Sequence, residues 1–196
     1  MEKFTQRIMD LCNENKRVAM FIDMDGTINE YVVFSEDTVV KEMEDNYLNI
    51  NSLPTALRDL EKISNISNID LYILSLSRTK SLTQIKKEWL KKYVSFIPEE
   101  NWIILTKEIG DYTNENRDKI KTMKMKEYAD YDRLILLDDD HNILKQTSNV
   151  LHNRVNVFHI SSAFIWYLKK MIKSSFYFSL FIQELTSSIG VFSLLL

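Results

Sequence analysis

The sequence predicts an α/β fold built on a doubly wound parallel sheet, and two observations carry that prediction. Five short, mostly apolar runs read as strands, and stretches with helical spacing stand between them. Three of the runs stop abruptly at polar groups: Phe-Ile-Asp23-Met-Asp25-Gly26-Thr27, Leu-Tyr-Ile-Leu-Ser75 and Leu-Ile-Leu-Leu-Asp138-Asp139. Parallel sheets bind ligands at the carboxyl ends of their strands, so these groups are expected to converge on one edge.

Each element follows from local pattern. A leading helix is expected over 3–12, where Phe4, Ile8 and Leu11 share a face, and the first strand over 18–22. Residues 28–52 mix apolar and acidic residues and read as a small insertion over the strand end, with a short helix carrying Phe34, Val39, Val40 and Met43. Pro54 opens the next helix, with Ser52 a candidate N-cap and Leu57, Leu60 and Ile63 on the buried face. A second strand over 69–74 ends at Ser75, and a helix with Leu82, Ile85, Trp89 and Leu90 inward follows it. The third strand is 102–106, and 107–117 is a loop. A lysine-rich helix over 118–128 points Ile120, Met123 and Tyr128 inward. The fourth strand is 134–137, ending in Asp138-Asp139-Asp140, and the fifth is 155–160. Trp89, Trp102 and Trp166 read as core residues.

Composition narrows the class. The chain has 196 residues, enough for one domain with a substantial core. Its net charge of −3 gives no basic field for nucleic acid. The lone cysteine, Cys12, excludes an internal disulfide and a cysteine-based zinc site. The N-terminus lacks the apolar core of a signal peptide, so a cytoplasmic location is expected. Three glycines leave no glycine-rich phosphate loop. Residues 1–172 read as the core domain with its insertion, and 173–196 as an apolar tail. A spanning helix needs about 20 mostly apolar residues. Gln183, Glu184 and Thr186-Ser187-Ser188 interrupt this one, so it is read as docked on the core in preference to a membrane.

Asp23 and Asp25 lie one residue apart and repel unless a cation or a shared proton intervenes. A hard divalent ion such as Mg²⁺ suits oxygen ligands of this kind. A calcium loop of EF-hand type is excluded, because the further acidic ligands, the terminal glutamate and the preceding helix are missing. Together with a hydroxyl at Ser75, acids at Asp138 and Asp139 and a lysine, the set suits phosphoryl chemistry. One carboxylate can attack phosphorus, another can move protons, and a hydroxyl and an ammonium can hold phosphoryl oxygens. His152 and His159 show no metal-ligand spacing, and His141 reads as a surface or capping residue beside the acids.

In order and strand context these motifs resemble the haloacid dehalogenase-like (HAD) superfamily of phosphohydrolases, over residues 18 to about 162. The resemblance implies that Asp23 is the nucleophile and a metal ligand, and that Asp25 is the general acid/base with its backbone carbonyl on the metal. It implies a turn at Gly26, a loop-orienting and phosphate-side role for Thr27, phosphate binding by Ser75, and metal binding by Asp138 and Asp139. Asp140 is extra to the pair and is expected to cap the next segment. The motif lysine is expected near the start of its helix, with Lys121 preferred, Lys119 second, and Lys124 and Lys126 solvated. The insertion and the stretch 46–54 resemble the small-cap 5′-nucleotidase-like branch, where Tyr31, Phe34 and Arg78 would line the pocket. The implied activity is Mg²⁺-dependent cleavage of a small phosphate monoester, a (deoxy)nucleoside 5′-monophosphate being one candidate, through an aspartyl-phosphate. A phosphotransferase of the same superfamily and a non-catalytic phosphate-binding regulatory module are the alternatives. A phospho-receiver domain is disfavoured, because its acidic pair comes first and its phosphorylated aspartate later. The expected partner is a small phosphorylated substrate.

Overall fold

The computed structural model describes residues 2–32 and 39–162; the tail of 173–196, Phe34 and Trp166 lie outside the described residues. Five strands, β1 (Val18–Ile22), β2 (Ile69–Ser77), β3 (Trp102–Thr106), β4 (Arg133–Asp138) and β5 (Val155–His159), form one sheet in the order β3-β2-β1-β4-β5. Every neighbouring pair is parallel. The chain starts at the centre and winds outward in both directions, so the order reverses beside β1. That reversal opens a crevice at the strand ends, where ligands of such sheets bind. Ile22 is level with Ile73 on β2 and with Leu137 on β4.

Central strands buried on both faces explain the unbroken apolar runs. All five residues of β1 are buried. Val18, Met20 and Ile22 face the helices α1 (Glu2–Glu14), α3 (Pro54–Ser64) and α4 (Lys80–Tyr93). Ala19 and Phe21 face the opposite layer, with α5 (Arg117–Lys126) and α6 (His141–Leu151). There Phe21 stacks on Tyr72 at 5.2 Å between ring centres and meets Tyr128 edge-on at 4.9 Å. The α/β class and the parallel sheet are as the sequence predicts.

Among the described residues the insertion contains one helix, α2 (Val40–Asn49), which packs on α4 and buries Met43 and Tyr47. It begins later than the expected helix, and Val39 is exposed at its N-cap. The two stems of the insertion are tied together: Leu53 N–H donates to the Ile28 carbonyl (2.8 Å) and Glu30 N–H to that of Asn51 (3.0 Å). Pro54 does open α3, but the N-cap is Leu53 and not Ser52, because Ser52 is engaged in a bridge with Asn29. Strand β2 runs two residues past Ser75, since pairing with β3 continues to Ser77. No helix among the described residues is long and apolar enough to cross a membrane.

Candidate active site

Asp23 directly follows β1, and its amide donates to the Leu137 carbonyl (2.9 Å), so the central strand carries it to the crevice beside Asp138. The chain then turns sharply. The amides of Thr27, Ile28 and Asn29 all donate to the Met24 carbonyl, and Gly26 takes a left-handed φ of 73°. A Cβ built on Gly26 would lie 2.4 Å from Asp139 Oδ2 and 2.9 Å from its Cγ. Glycine is therefore required twice, for its φ and for the close approach of Asp139. Gly26→Ala is expected to displace Asp139 and lower stability by about 1–3 kcal/mol. Thermal unfolding together with a Mg²⁺ titration checks this, and an unchanged midpoint with unchanged Mg²⁺ dependence would count against it.

The two aspartates of the first motif are held by different cations. Lys121, on α5, places its ammonium 2.7 Å from Asp23 Oδ1 and 2.7 Å from Asp138 Oδ2. Lys86, on α4, donates to Asp25 Oδ2 (2.6 Å), to Ser75 Oγ (3.0 Å) and to the Leu76 carbonyl (2.7 Å). The Tyr47 hydroxyl donates to Asp25 Oδ1 and accepts from Asn29 Nδ2 (2.9 Å). The electrostatics diverge accordingly. Burial pushes Asp23 up to about 7, with the charges of Asp138 and Asp25 adding to it and Lys121 opposing it. Burial also works against charge on Asp25, but Lys86 and the hydrogen bonds from Lys86 and Tyr47 outweigh it and hold that carboxyl below its ordinary range. Burial opposes charge on Lys121 as well, yet Asp138 and Asp23 raise it overall. Asp139 is raised by burial and by the charge of Asp138.

These groups open onto a cavity of about 510 Å³, a size that suits a small-molecule ligand. Asp23, Asp25, Asp138, Asp139, Lys86 and Lys121 form its polar floor, while Tyr31, Val32, Met43, Tyr47, Leu82 and Tyr112 give it an apolar and aromatic wall. Arg78 also lines it, with Nη1 3.8 Å from Met43 Sδ. Asp23, Asp138 and Asp139 each offer an oxygen within 4.8 Å of the others. An all-oxygen, strongly anionic donor set of this kind is compatible with a hard divalent cation.

Ser75 sits inside β2, fully buried, and is not among the cavity-lining residues; its hydroxyl supports Lys86. Thr27 is also fully buried and off the cavity, and its hydroxyl has no hydrogen-bond partner among the described residues. On α5 the buried residues are Lys121, Thr122 and Met125, and Met123 is 55% exposed. The helix is turned so that Lys121 meets its carboxylates and the Thr122 hydroxyl meets that of Thr147 (2.8 Å). Lys119 is exposed, as are Lys126 and the Lys124 partner Glu127. Asp140 caps α6 through the amides of Asn142 and Ile143 and pairs with Arg117 at 3.0 Å. His141 lines the cavity and stacks on His159 at 4.3 Å, and His159 Nε2 lies 3.0 Å from the Asp139 carbonyl.

Sequence reasoning missed Lys86, Tyr47 and Asn29. The signal for Lys86 was its phase: it shares a helix face with Leu82, Trp89 and Leu90, all buried. No comparable signal marks Tyr47, whose partner lies 22 residues away.

No family model matches this chain, and no curated protein matches it. Among solved structures it is similar to DsGPDH of Dunaliella salina. That similarity has a TM-score of 0.44 and 14% identity, and it covers 74% of this chain and 23% of that one. The chain thus spans less than a quarter of that protein's length.

Proposed function

We infer that this protein is a haloacid dehalogenase-like phosphohydrolase that cleaves a small phosphate monoester through an aspartyl-phosphate, with Mg²⁺ as cofactor. The observation that carries this reading is the separate wiring of two neighbouring carboxylates. Asp23 sits buried among prospective metal ligands with Lys121, whereas Asp25 is held by Lys86 and Tyr47. Groups in such different environments are suited to different tasks.

Asp23 attacks phosphorus, the bond to the leaving oxygen breaks, and Asp25, which enters this step carrying the proton kept from the previous turnover, gives it to that oxygen. Water then attacks the phosphoryl group on Asp23, passes a proton to Asp25 and frees inorganic phosphate. The ionised Asp25, accepting hydrogen bonds at both oxygens, is the state left once that proton has gone, and it is the form that receives the proton of water. Lys121 uses two of its three N–H donors on Asp23 and Asp138, which leaves one for a phosphoryl oxygen. The side chains of Asp23, Asp138 and Asp139 and the backbone carbonyl of Asp25 would hold Mg²⁺. When bound, that ion supplies charge neutralisation for the carboxylates and the phosphoryl oxygens.

The aromatic wall and Arg78 favour an ester with a planar, hydrogen-bonding group, for which a nucleoside monophosphate is the leading candidate. The net charge of −3 favours such small molecules over nucleic acid. Phosphate release with Mg²⁺ from a panel of nucleoside monophosphates, alkyl phosphates and nitrophenyl phosphate tests the reading; no release from any of them would overturn it.

A linked prediction concerns pH. Asp23 titrates near 7 in the metal-free fold against an ordinary 3.8. Between those values the folded state holds a proton that the unfolded state has lost, so metal-free stability falls as pH rises through this window and then levels off. Mg²⁺ competes with that proton. Its addition is expected to raise the unfolding midpoint more at pH 8 than at pH 5.5, and an equal rise at both values would contradict the assignment of Asp23 as a ligand.

A further inference from the structure

Lys86 belongs to none of the sequence motifs, yet it is only 1% exposed and lines the cavity. A lysine on the buried face of a helix is unfavourable unless its charge is paired and its donors are satisfied. Here both conditions hold. The three acceptors within 3.0 Å, on Asp25, Ser75 and Leu76, account for all three N–H donors of an ammonium. The Tyr47 ring covers the same ammonium at 5.2 Å. Lys86 thus differs from Lys121, which retains a donor: it has none left to offer a phosphoryl oxygen.

We propose that Lys86 is the positioning residue for Asp25: seated by the Ser75 hydroxyl and the Leu76 carbonyl, it aims the Asp25 carboxylate at the leaving oxygen and at the attacking water without touching the phosphoryl group. This rests on the phosphohydrolase reading above. It also gives the buried Ser75 a role, which is to anchor the lysine. Asp25 gives one proton to the leaving oxygen as the ester P–O bond breaks and regains one from water as the Asp23–phosphorus bond breaks.

A lysine that positions the general acid affects esters unequally, which a merely structural lysine would not. A nitrophenolate leaves as a stable anion and needs little from a general acid, whereas an alkoxide needs its proton. The ratio kcat/KM reports the step that expels the leaving group, so the loss should depend on the ester. In Lys86→Met, kcat/KM is expected to fall by about 10²-fold or more on an alkyl or nucleoside phosphate, the range of general acid catalysis. On nitrophenyl phosphate the fall should be less than about 10-fold. The inhibition constant of inorganic phosphate should stay within about 3-fold of wild type, because no phosphate donor has been removed. Lys86→Gln, which keeps a polar side chain on the buried face, should show the same ester dependence and carries the comparison if Lys86→Met does not fold. Equal losses on both esters would mean a structural role and overturn the proposal. A much weaker inhibition by phosphate would make Lys86 a phosphate ligand and overturn it as well. Absence of phosphate release by the wild-type chain from either ester would instead overturn the phosphohydrolase reading, and this proposal with it.

Discussion

Asp23→Asn is expected to lower phosphate release by about 10⁴-fold or more, as removal of a nucleophile does, while leaving the protein folded. The amide keeps the shape of the carboxyl but cannot form the aspartyl-phosphate. The cost to the fold is small because Asp23 is already pushed up to about 7 by burial and by its acidic neighbours. Removing its charge relieves repulsion with Asp138 and Asp25, so the metal-free variant should unfold at the same temperature as wild type or up to about 5 °C higher near pH 8. Mg²⁺ should then raise that temperature less than it does in wild type, since one ligand has been weakened. Three measurements decide the matter: phosphate release, mass spectrometry of the enzyme quenched during turnover, and thermal unfolding. Turnover retained in Asp23→Asn, or a phosphoryl group found on a residue other than Asp23 in wild type, would sink the mechanism.

Lys121→Met carries the largest expected loss of stability. Its ammonium is shared by Asp23 and Asp138, which are 7% and 0% exposed, so the substitution strands two buried carboxylates beside each other. Breaking a buried ion pair from one side costs about 3–5 kcal/mol, or roughly 10 °C in a domain of this size. Lys119→Met, two residues earlier on the exposed face, should change stability by no more than about 0.5 kcal/mol. Added Mg²⁺ should recover part of the loss in Lys121→Met by replacing one cation with another, but it should not restore turnover, because the donor for the phosphoryl oxygen is gone. A midpoint unchanged in Lys121→Met, or lowered as much in Lys119→Met, would refute the placement of the shared ammonium.

The contrast between these two lysines marks the limit of what a sequence shows. Strands β1 and β4 were legible because a strand buried on both faces must be apolar throughout, and the carboxylates that end them are local, unmistakable interruptions. Pro54 at the start of α3 and Asp140 at the start of α6 were legible for the same reason, each acting within one turn of its own position. The rotation of α5 was not. Apolar spacing there puts Met123 inward, but the helix carries few apolar residues, so pairing of Lys121 with Asp23 and Asp138 outweighs the weak hydrophobic signal. Ser75 was placed at a strand end because its own sequence stops being apolar near it, whereas β3 extends the pairing two residues further and buries it.

By itself, then, the sequence determined the alternation of strands and helices and the delivery of Asp23, Asp25, Asp138 and Asp139 to one edge of a parallel sheet. Those outcomes follow from burial and backbone direction, which leave their pattern within a few residues. Only the tertiary structure decided which cation serves which carboxylate: Lys121 for Asp23 and Asp138, Lys86 with Tyr47 for Asp25. Those partners are 61 and 22 residues from Asp25 and 17 from Asp138, brought together by strand order and by the packing of α2 on α4. A buried charge takes the partner that the fold brings within reach, and nothing in the residues flanking a lysine records where that partner will be.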